Sequence, residues 1–242
     1  MNTHSNHIVI CGYTAGARMF LDTLRRERDW GDREVLIFAE GERPKDVPPE
    51  FSWVNGDPTK ESELIKVRLT HADGVIVIGP RDVLPQQADA TTILTVFTIR
   101  QWMSRQPETK VRKKPLYVVA EVLDLENIAH AKTAGASEVI ESTLVSFSLL
   151  AHAMSMPGSA HALSRISEAT GNSLYVGRLP QDIELPLSFA EISAELRSRC
   201  GLLLVGVTSE SGEQHLNPRD DLSIRPSDRL VYLATEPRLE PI

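Results

Sequence analysis

The sequence predicts an α/β fold: a Rossmann-like, doubly wound parallel sheet followed by a small α+β C-terminal domain. Short β-branched segments alternate with helical segments over residues 7–142, and this alternation requires parallel strands joined by crossover connections. The strand segments are almost continuously apolar, as expected when helices cover both faces of a sheet. From residue 171 onward the order changes, because strands there flank a single helix.

Six strands and four helices are expected in the sheet domain. Each strand is a short run of mostly apolar residues, and in order they are His7–Cys11, Glu34–Ala39, Ser52–Val54, Gly74–Ile78, Leu116–Ala120 and Glu138–Ile140. Each helix has helical composition or apolar residues at helical spacing, and they are Ala15–Arg26, Thr59–Arg68, Gln86–Met103 and Leu125–Ala134. This order of elements is that of a Rossmann-like sheet.

An apolar helical segment, Leu144–Met156, follows the sheet domain. Its apolar residues cover more than one face, so it is either the last core helix of that domain or a contact with a partner subunit. Pro157 and Gly158 end it, and a second helix is expected over Ser159–Thr170. Residues 143–170 are therefore predicted to form a helical crossover or dimerisation segment.

Residues 171–242 are predicted to form a separate α+β domain. Three strands and one helix are expected there, at Leu174–Val176, Leu202–Thr208 and Arg229–Ala234 for the strands and Phe189–Arg199 for the helix. A polar turn containing a glycine, Ser209–Glu213, follows the second strand.

Composition argues against several classes of protein. The net charge of −7 disfavours a nucleic-acid partner, because phosphate recognition depends on clustered Lys and Arg. The two cysteines, Cys11 and Cys200, lack the spacing of a zinc site or a disulfide framework. No apolar run approaches the roughly 20 residues that cross a bilayer, and the polar N-terminus is unlike a secretory signal. The chain is expected in the cytoplasm.

The turn after the first strand carries a partial glycine motif. Rossmann folds place a pyrophosphate at the N-terminus of the first helix, and the glycines of G-x-G-x-x-G let the backbone approach it. Here the turn is Gly12-Tyr13-Thr14-Ala15-Gly16-Ala17, so the first glycine is present while Thr14 takes the middle position and intrudes on a dinucleotide. The turn predicts either a nucleotide site or a degenerate, empty pocket.

Two acidic residues extend this candidate site. Glu40 follows the second strand, where an acidic residue would bind a ribose diol. Asp57 follows the third strand at the edge where ligands of such folds bind, although Gly-Asp-Pro is also good turn chemistry. The candidate cofactor-binding residues are Gly12, Tyr13, Thr14, Ala15, Glu40 and Asp57.

Several ordered segments carry a family resemblance. They are HIVICGY at His7–Tyr13, VNGDPT at Val54–Thr59, ADGVIV at Ala72–Val77, AEVLDLENI at Ala120–Ile128, AGASEVI at Ala134–Ile140, LNPRDDL at Leu216–Leu222 and PSDRLV at Pro226–Val231. The first five resemble the RCK family, also called KTN or TrkA-N domains, and the last two resemble the TrkA-C domain that follows many of them. The chain is more similar to channel-type members, among them calcium-gated prokaryotic potassium channels, than to dinucleotide-binding transporter subunits.

The resemblance implies a regulatory role in potassium transport. In this family the sheet domain dimerises, dimers assemble into a ring below a membrane pore, and a ligand changes the shape of the ring. It implies that this chain forms a homodimer or an octameric gating ring at the inner face of the membrane, with a pore domain on the same full-length protein or on another chain. The implied ligand is a nucleotide, such as NAD(H), ATP or ADP, or a divalent cation such as Ca²⁺.

The calcium sites of the family are only partly matched. They use an acidic residue after strand four and two carboxylates after strand five. Glu121 matches one of these positions, whereas Ile78 and Leu123 occupy the other two, and a hard cation needs several oxygen ligands. Nearby acids, which either build a different site or are ordinary surface carboxylates, are Asp82, Asp124 and Glu126. Glu121 and Asp124 are the candidate metal ligands.

Three functions follow from these observations. The first is a cytosolic ligand-sensing gating domain of a potassium channel, and the second is a nucleotide-sensing peripheral subunit of a Trk/Ktr-type potassium transporter. The third is an NAD-linked oxidoreductase, which needs a proton donor such as Tyr with Lys at helical spacing. No Tyr-x-x-x-Lys occurs, and the final domain is small for a substrate domain, so the sequence predicts that the chain is not an enzyme.

Overall fold

The computed structural model of the chain describes residues 6–14, 16–26, 33–112, 114–166, 171–183 and 187–240. The described residues up to Ala151, apart from Arg26, form one compact unit, and those from His152 onward belong to a second. This division falls inside the helical segment predicted over 143–170. The predicted bounds of 7–142, 143–170 and 171–242 stay a prediction.

The first unit contains a six-stranded parallel sheet. Its strands are β1 His7–Cys11, β2 Val35–Ala39, β3 Ser52–Asn55, β4 Ala72–Val77, β5 Tyr117–Val122 and β6 Glu138–Glu141, and its helices are α1 Ala17–Arg26, α2 Pro85–Arg105, α3 Asn127–Ala134 and the start of α4 Ser142–Ser155. The strand order is β3-β2-β1-β4-β5-β6, and every pair is parallel. β2 and β3 are therefore added on one side of β1, and β4, β5 and β6 on the other. The predicted doubly wound fold is confirmed.

Alternate strand residues build a core on each face of this sheet. Val9 and Cys11 of β1 pack in one cluster with residues of α2, including Ile99. Ile10, between them, packs in another cluster with Leu21 of α1. Successive side chains of a strand point to opposite faces, so a run with both faces covered must be apolar throughout.

One predicted helix has a different form. The segment Thr59–Arg68 contains a 3₁₀ helix, Glu61–Val67, which ends at Arg68 in the left-handed region with φ of 46°. A second short 3₁₀ helix, Leu69–His71, leads directly into β4. Short 3₁₀ turns are common as connectors, and this one buries Leu64 while joining β3 to β4.

The second unit is an antiparallel sheet packed on a helix. Its elements are α5 Ser159–Ile166, β7 Ser173–Arg178, α6 Phe189–Cys200, β8 Leu203–Thr208, β9 Gln214–Leu216 and β10 Arg229–Ala234, with strand order β7-β10-β8-β9. Ser188 and Glu191 form a capping box at the start of α6, and Ile192 and Leu196 of that helix join Tyr232 in the core. This arrangement confirms the predicted α+β fold.

None of the helices in the described ranges is both long and apolar enough to cross a membrane.

Candidate functional site

A cavity of about 250 Å³, here called the first-turn cavity, lies at the carboxyl ends of β1, β2 and β3. Residues that line it include Cys11, Gly12, Tyr13, Glu40, Asp57, Thr59, Ile78, Pro80 and Thr92. Four of the six predicted cofactor-binding residues are therefore brought together. Of the other two, Thr14 lines a neighbouring cavity, and Ala15 lies outside the described residues.

Gly12 is required by the packing of the backbone itself. Its φ is 95°, and a Cβ atom at this position would lie 2.2 Å from the carbonyl oxygen of Ile78. The same two segments are joined by a hydrogen bond of 2.9 Å from the Ile78 amide to the Cys11 carbonyl oxygen. The first glycine of the motif is thus explained by the close approach of two strand ends.

Thr14 ties the first turn to the loop after β4. Its Oγ1 accepts a hydrogen bond of 3.0 Å from the backbone amide of Arg81. Tyr13 and Pro80 line the first-turn cavity, whereas Thr14 and Arg81 line the neighbouring one. The Thr14–Arg81 bond therefore lies between the two cavities, where the pyrophosphate of an extended dinucleotide would cross the turn.

The Tyr13 hydroxyl is held as a hydrogen-bond donor. It donates to Oδ2 of Asp46 at 2.9 Å, and the ring packs edge to face on Trp53 with centroids 5.7 Å apart. Burial, together with this hydrogen bond to a carboxylate, raises the pKa of Tyr13 to about 12. Burial likewise raises the pKa of the Cys11 thiol to about 12, so neither group is ionised near neutral pH.

Two acidic residues face the first-turn cavity from neighbouring strand ends. Two hydrogen bonds of Gly41 fix the turn that carries Glu40. The Gly41 amide donates to Oδ1 of Asn55 at 3.0 Å, and Nε1 of Trp53 donates to the Gly41 carbonyl oxygen at 3.1 Å. Asn55 and Trp53 both belong to β3. The adjacent strand thereby fixes the backbone turn that carries Glu40, for which the sequence predicts a contact with a ribose.

Asp57 holds its own turn as well as lining the cavity. Oδ1 accepts from the amide and hydroxyl groups of Thr59 at 2.9 and 2.7 Å, and Oδ2 pairs with Nζ of Lys60 at 2.8 Å. Burial acts to raise the pKa of this carboxyl, but the bonds from Lys60 and Thr59 outweigh it and hold the pKa below its usual range. The turn role that the sequence suggested is present in the structure.

A second and larger cavity, here called the switch-point cavity, occupies about 630 Å³ beside the start of α1. It opens at the carboxyl ends of β4 and β5, next to the reversal in strand order where ligands of such folds bind. Its lining residues are Thr14, Gly16, Ala17, Met19, Phe20, Ile76, Ile78, Arg81, Val119, Glu121 and Ile140. Within it, the guanidinium of Arg81 forms an ion pair with the carboxylate of Glu121.

The two candidate metal ligands do not converge. Glu121 lies in the switch-point cavity and is paired with Arg81, whereas Asp124 lines a separate groove between α2 and α3. Within the described ranges, no group of three His, Cys, Asp or Glu side chains could hold a metal ion. Ca²⁺ takes six to eight oxygen ligands, so the residues at this edge do not fit it.

Two residues of this region were missed by the sequence reasoning. One is Arg81, and the other is Asp89 of α2, whose side chain is almost fully buried. The Asp89 carboxylate accepts bonds from the amides of Leu123 and Asp124 at 2.8 and 3.1 Å and from Nδ2 of Asn127 at 2.7 Å. It fixes the loop after β5, and an acidic residue beside the buried face of a Thr-rich helix is the signal that could have revealed it.

Comparison with known proteins gives a family match for the larger part of the sheet unit. A family model described as the calcium-activated potassium channel slowpoke-like RCK domain matches residues 3–118. This part of the chain is an RCK domain. The resemblance predicted from the strand-end motifs is thus confirmed. Every residue that lines the first-turn cavity lies within residues 3–118.

Relatives extend the similarity through the second unit. The calcium-gated potassium channel TvoK of Thermoplasma volcanium is 26% identical over 241 residues, covering 95% of this chain and 62% of the channel. Probable potassium channel protein 2 of Methanocaldococcus jannaschii is 23% identical over 254 residues, covering 99% of this chain and 66% of that protein. The chain therefore spans slightly less than two thirds of the length of these relatives.

The fold is shared with a solved structure of a gating ring. The human SLO3 gating ring superposes with a TM-score of 0.72 at 17% sequence identity, covering 95% of this chain and 44% of that one. At this identity the likeness concerns the fold, and it includes both the parallel and the antiparallel sheet.

Proposed function

We propose that this chain is the cytosolic ligand-sensing gating module of a potassium channel, at the inner face of the membrane. The observation that carries the proposal is the similarity to potassium channel proteins across 95% and 99% of the chain. It runs through both units, so it supports a role for the RCK domain together with the C-terminal sheet. The pore belongs either to the same full-length protein or to another chain.

The surface of α4 supports assembly into a dimer or a ring. No residue of α4 is buried, and its large apolar side chains are widely exposed, with Phe147 at 63%, Leu150 at 65% and Met154 at 86%. A contiguous set of exposed apolar side chains favours contact with another protein. A second copy of this chain is the partner that we propose for α4.

The ligand that we propose for the first-turn cavity is an adenine nucleotide, such as NAD(H), ATP or ADP, held by its nucleoside part. Glu40 lines this cavity and would accept hydrogen bonds from a ribose diol, and the cavity volume of about 250 Å³ suits one nucleoside. By linkage, a ligand drives gating only if it binds one conformation of the assembly more tightly than another. Calcium is not proposed here, because the oxygen ligands that it needs do not converge.

The oxidoreductase alternative finds little support in the side chains of the cleft. Hydride transfer to a carbonyl group requires a proton donor beside the reacting carbon. Tyr13 lines the first-turn cavity, yet its hydroxyl is bonded to Asp46 and its pKa lies at about 12. The peripheral transporter subunit stays a second candidate, and its membrane partner is what separates it from a channel module.

Equilibrium binding measured together with enzymatic turnover tests the proposal. Titration calorimetry of the purified chain with ADP, ATP and NAD(H) is expected to give saturable binding that Glu40→Gln weakens about tenfold, since a hydrogen bond to a charged group contributes roughly 1.5–3 kcal/mol. Glu42→Gln, two residues along the same surface turn, is the matched control. Absence of binding would contradict the ligand assignment, and steady oxidation of NADH with a metabolite would favour the enzyme.

A further inference from the structure

The switch-point cavity has the properties of a second small-molecule site. Its volume of about 630 Å³ lies within the usual range for ligand pockets, which are mostly apolar with a few convergent polar groups. Its walls are formed by aliphatic side chains from three strand ends, with Phe20 and Met19 on the side of α1. None of its lining residues except Thr14 and Glu121 was expected from the sequence to contact a ligand.

The charged groups of this cavity form one ion pair. Among the lining residues only Arg81 and Glu121 are charged, and they are paired with each other. The Glu121 side chain is 18% exposed and that of Arg81 is 41% exposed, so the carboxylate is the more buried partner and the guanidinium the more accessible to solvent. The ion pair therefore presents one anion in the cavity wall and one cation nearer the solvent.

Charge balance restricts which ligands this ion pair can bind. A ligand with only a carboxylate would compete with Glu121 for Arg81 and leave two carboxylates close together. A ligand with only an amine would bind Glu121 and leave Arg81 without its partner. A ligand that carries both charges satisfies both groups, because its ammonium binds Glu121 while its carboxylate binds Arg81. The start of α1, where Gly16 and Ala17 line the same cavity, adds a dipole that favours the carboxylate.

The body of the ligand must be apolar. The aliphatic side chains that line the cavity are Ile76, Ile78, Val119 and Ile140, and Ile140 is 41% exposed. A polar side chain placed against these residues would lose its hydrogen bonds to water without replacement. A branched aliphatic or aromatic group instead removes apolar surface from water on both sides of the contact.

We propose that the switch-point cavity binds a small apolar zwitterion, of the class of free amino acids with branched or aromatic side chains. The ammonium group binds the carboxylate of Glu121, the carboxylate group binds the guanidinium of Arg81, and the side chain packs on the strand ends. The switch-point cavity shares only Ile78 with the lining of the first-turn cavity, so the zwitterion site does not require a nucleotide in the first-turn cavity.

Calorimetry of the full 242-residue chain with four matched probes tests this proposal. The probes are L-leucine, isocaproate, which lacks the ammonium group, isoamylamine, which lacks the carboxylate group, and L-asparagine, which keeps both charges on a polar side chain of similar size. L-leucine is expected to bind at least about tenfold more tightly than each of the others, a difference of roughly 1.4 kcal/mol. Equal binding of isocaproate and L-leucine, or no binding of L-leucine at millimolar concentration, would overturn the proposal.

Variants locate the binding in the cavity. Glu121→Gln and Arg81→Met are each expected to weaken L-leucine binding about tenfold or more, and Ile140→Trp is expected to abolish it by filling the cavity. Arg105→Met removes the arginine of another ion pair, with Glu61 at 2.7 Å, and is the control that leaves binding unchanged. Circular dichroism melting of each variant establishes that it is folded. Unchanged binding in folded Glu121→Gln and Ile140→Trp would place the ligand elsewhere and contradict the proposal.

Discussion

Asp57 stabilises the turn after β3 with both of its carboxylate oxygens. A carboxyl group whose pKa is lower in the folded chain stabilises the fold above its unfolded pKa, near 3.8, and this stabilisation is lost as the pH falls through the folded pKa. The sequence left open whether Asp57 binds a ligand or holds the turn. In the structure Asp57 makes the turn contacts, and these contacts predict that the stability of the fold depends on pH.

Asp57→Asn is expected to lower the free energy of unfolding by about 1 kcal/mol at pH 7, because a hydrogen bond to a charged group is replaced by a neutral one. The difference from the wild type should shrink as the pH falls below about 4, where the wild-type carboxyl also becomes neutral. Urea unfolding at several pH values measures it. Asp73→Asn, in the exposed pair with Arg33, is the control, and a difference that stays constant down to pH 2 would contradict the assignment.

The buried carboxylate of Asp89 leads to a second prediction about stability. Asp89→Ala leaves the amides of Leu123 and Asp124 without their acceptor, and unsatisfied buried donors cost about 1–3 kcal/mol each. We expect a loss of about 3 kcal/mol in the free energy of unfolding, and a smaller loss for Asp89→Asn. Urea denaturation measures both. Faster hydrogen exchange at residues 123–127 should accompany the loss, and an Ala variant as stable as the wild type would refute this role.

The elements of the sheet follow from the sequence because their chemistry is local. Continuous apolar runs predict strands covered on both faces, and the carboxyl ends of parallel strands meet at one edge, which is why Gly12, Glu40 and Asp57 lie around one cavity. β9 was not predicted, since it has three residues, of which two are polar. Arg81 and Asp89 were missed for another reason: their roles depend on contacts with loops distant in sequence.

Two glycines at the first turn allow a matched test of how this turn is built. Gly12→Ala places a methyl group against the carbonyl oxygen of Ile78. Gly16 has a φ of 89°, and a Cβ atom added to it would point into open space. We expect Gly16→Ala to cost about 1 kcal/mol from its backbone conformation alone, and Gly12→Ala to cost at least about 3 kcal/mol. Chemical denaturation compares the two. Similar losses for both variants would mean that the close contact with Ile78 does not explain why residue 12 is a glycine.

Gating by this chain requires that it self-associate. The RCK domain is shown by its sequence and fold, but gating requires that ligand occupancy change an assembly of several copies. The sequence predicted that Leu144–Met156 is either a core helix or a subunit contact. The exposure of α4 favours the subunit contact, and this choice required the structure, because an apolar helical pattern is the same in both cases.

Sedimentation velocity over a wide range of protein concentration measures whether this chain self-associates through α4. The wild-type chain is expected to form dimers or larger rings, and Phe147→Gln combined with Leu150→Gln to weaken association at least about tenfold without lowering the urea midpoint. Val111→Gln, which changes an apolar side chain that is 82% exposed outside α4, should assemble like the wild type. A wild-type chain that sediments as a monomer at every concentration, or a double variant that assembles unchanged, would contradict assembly through α4.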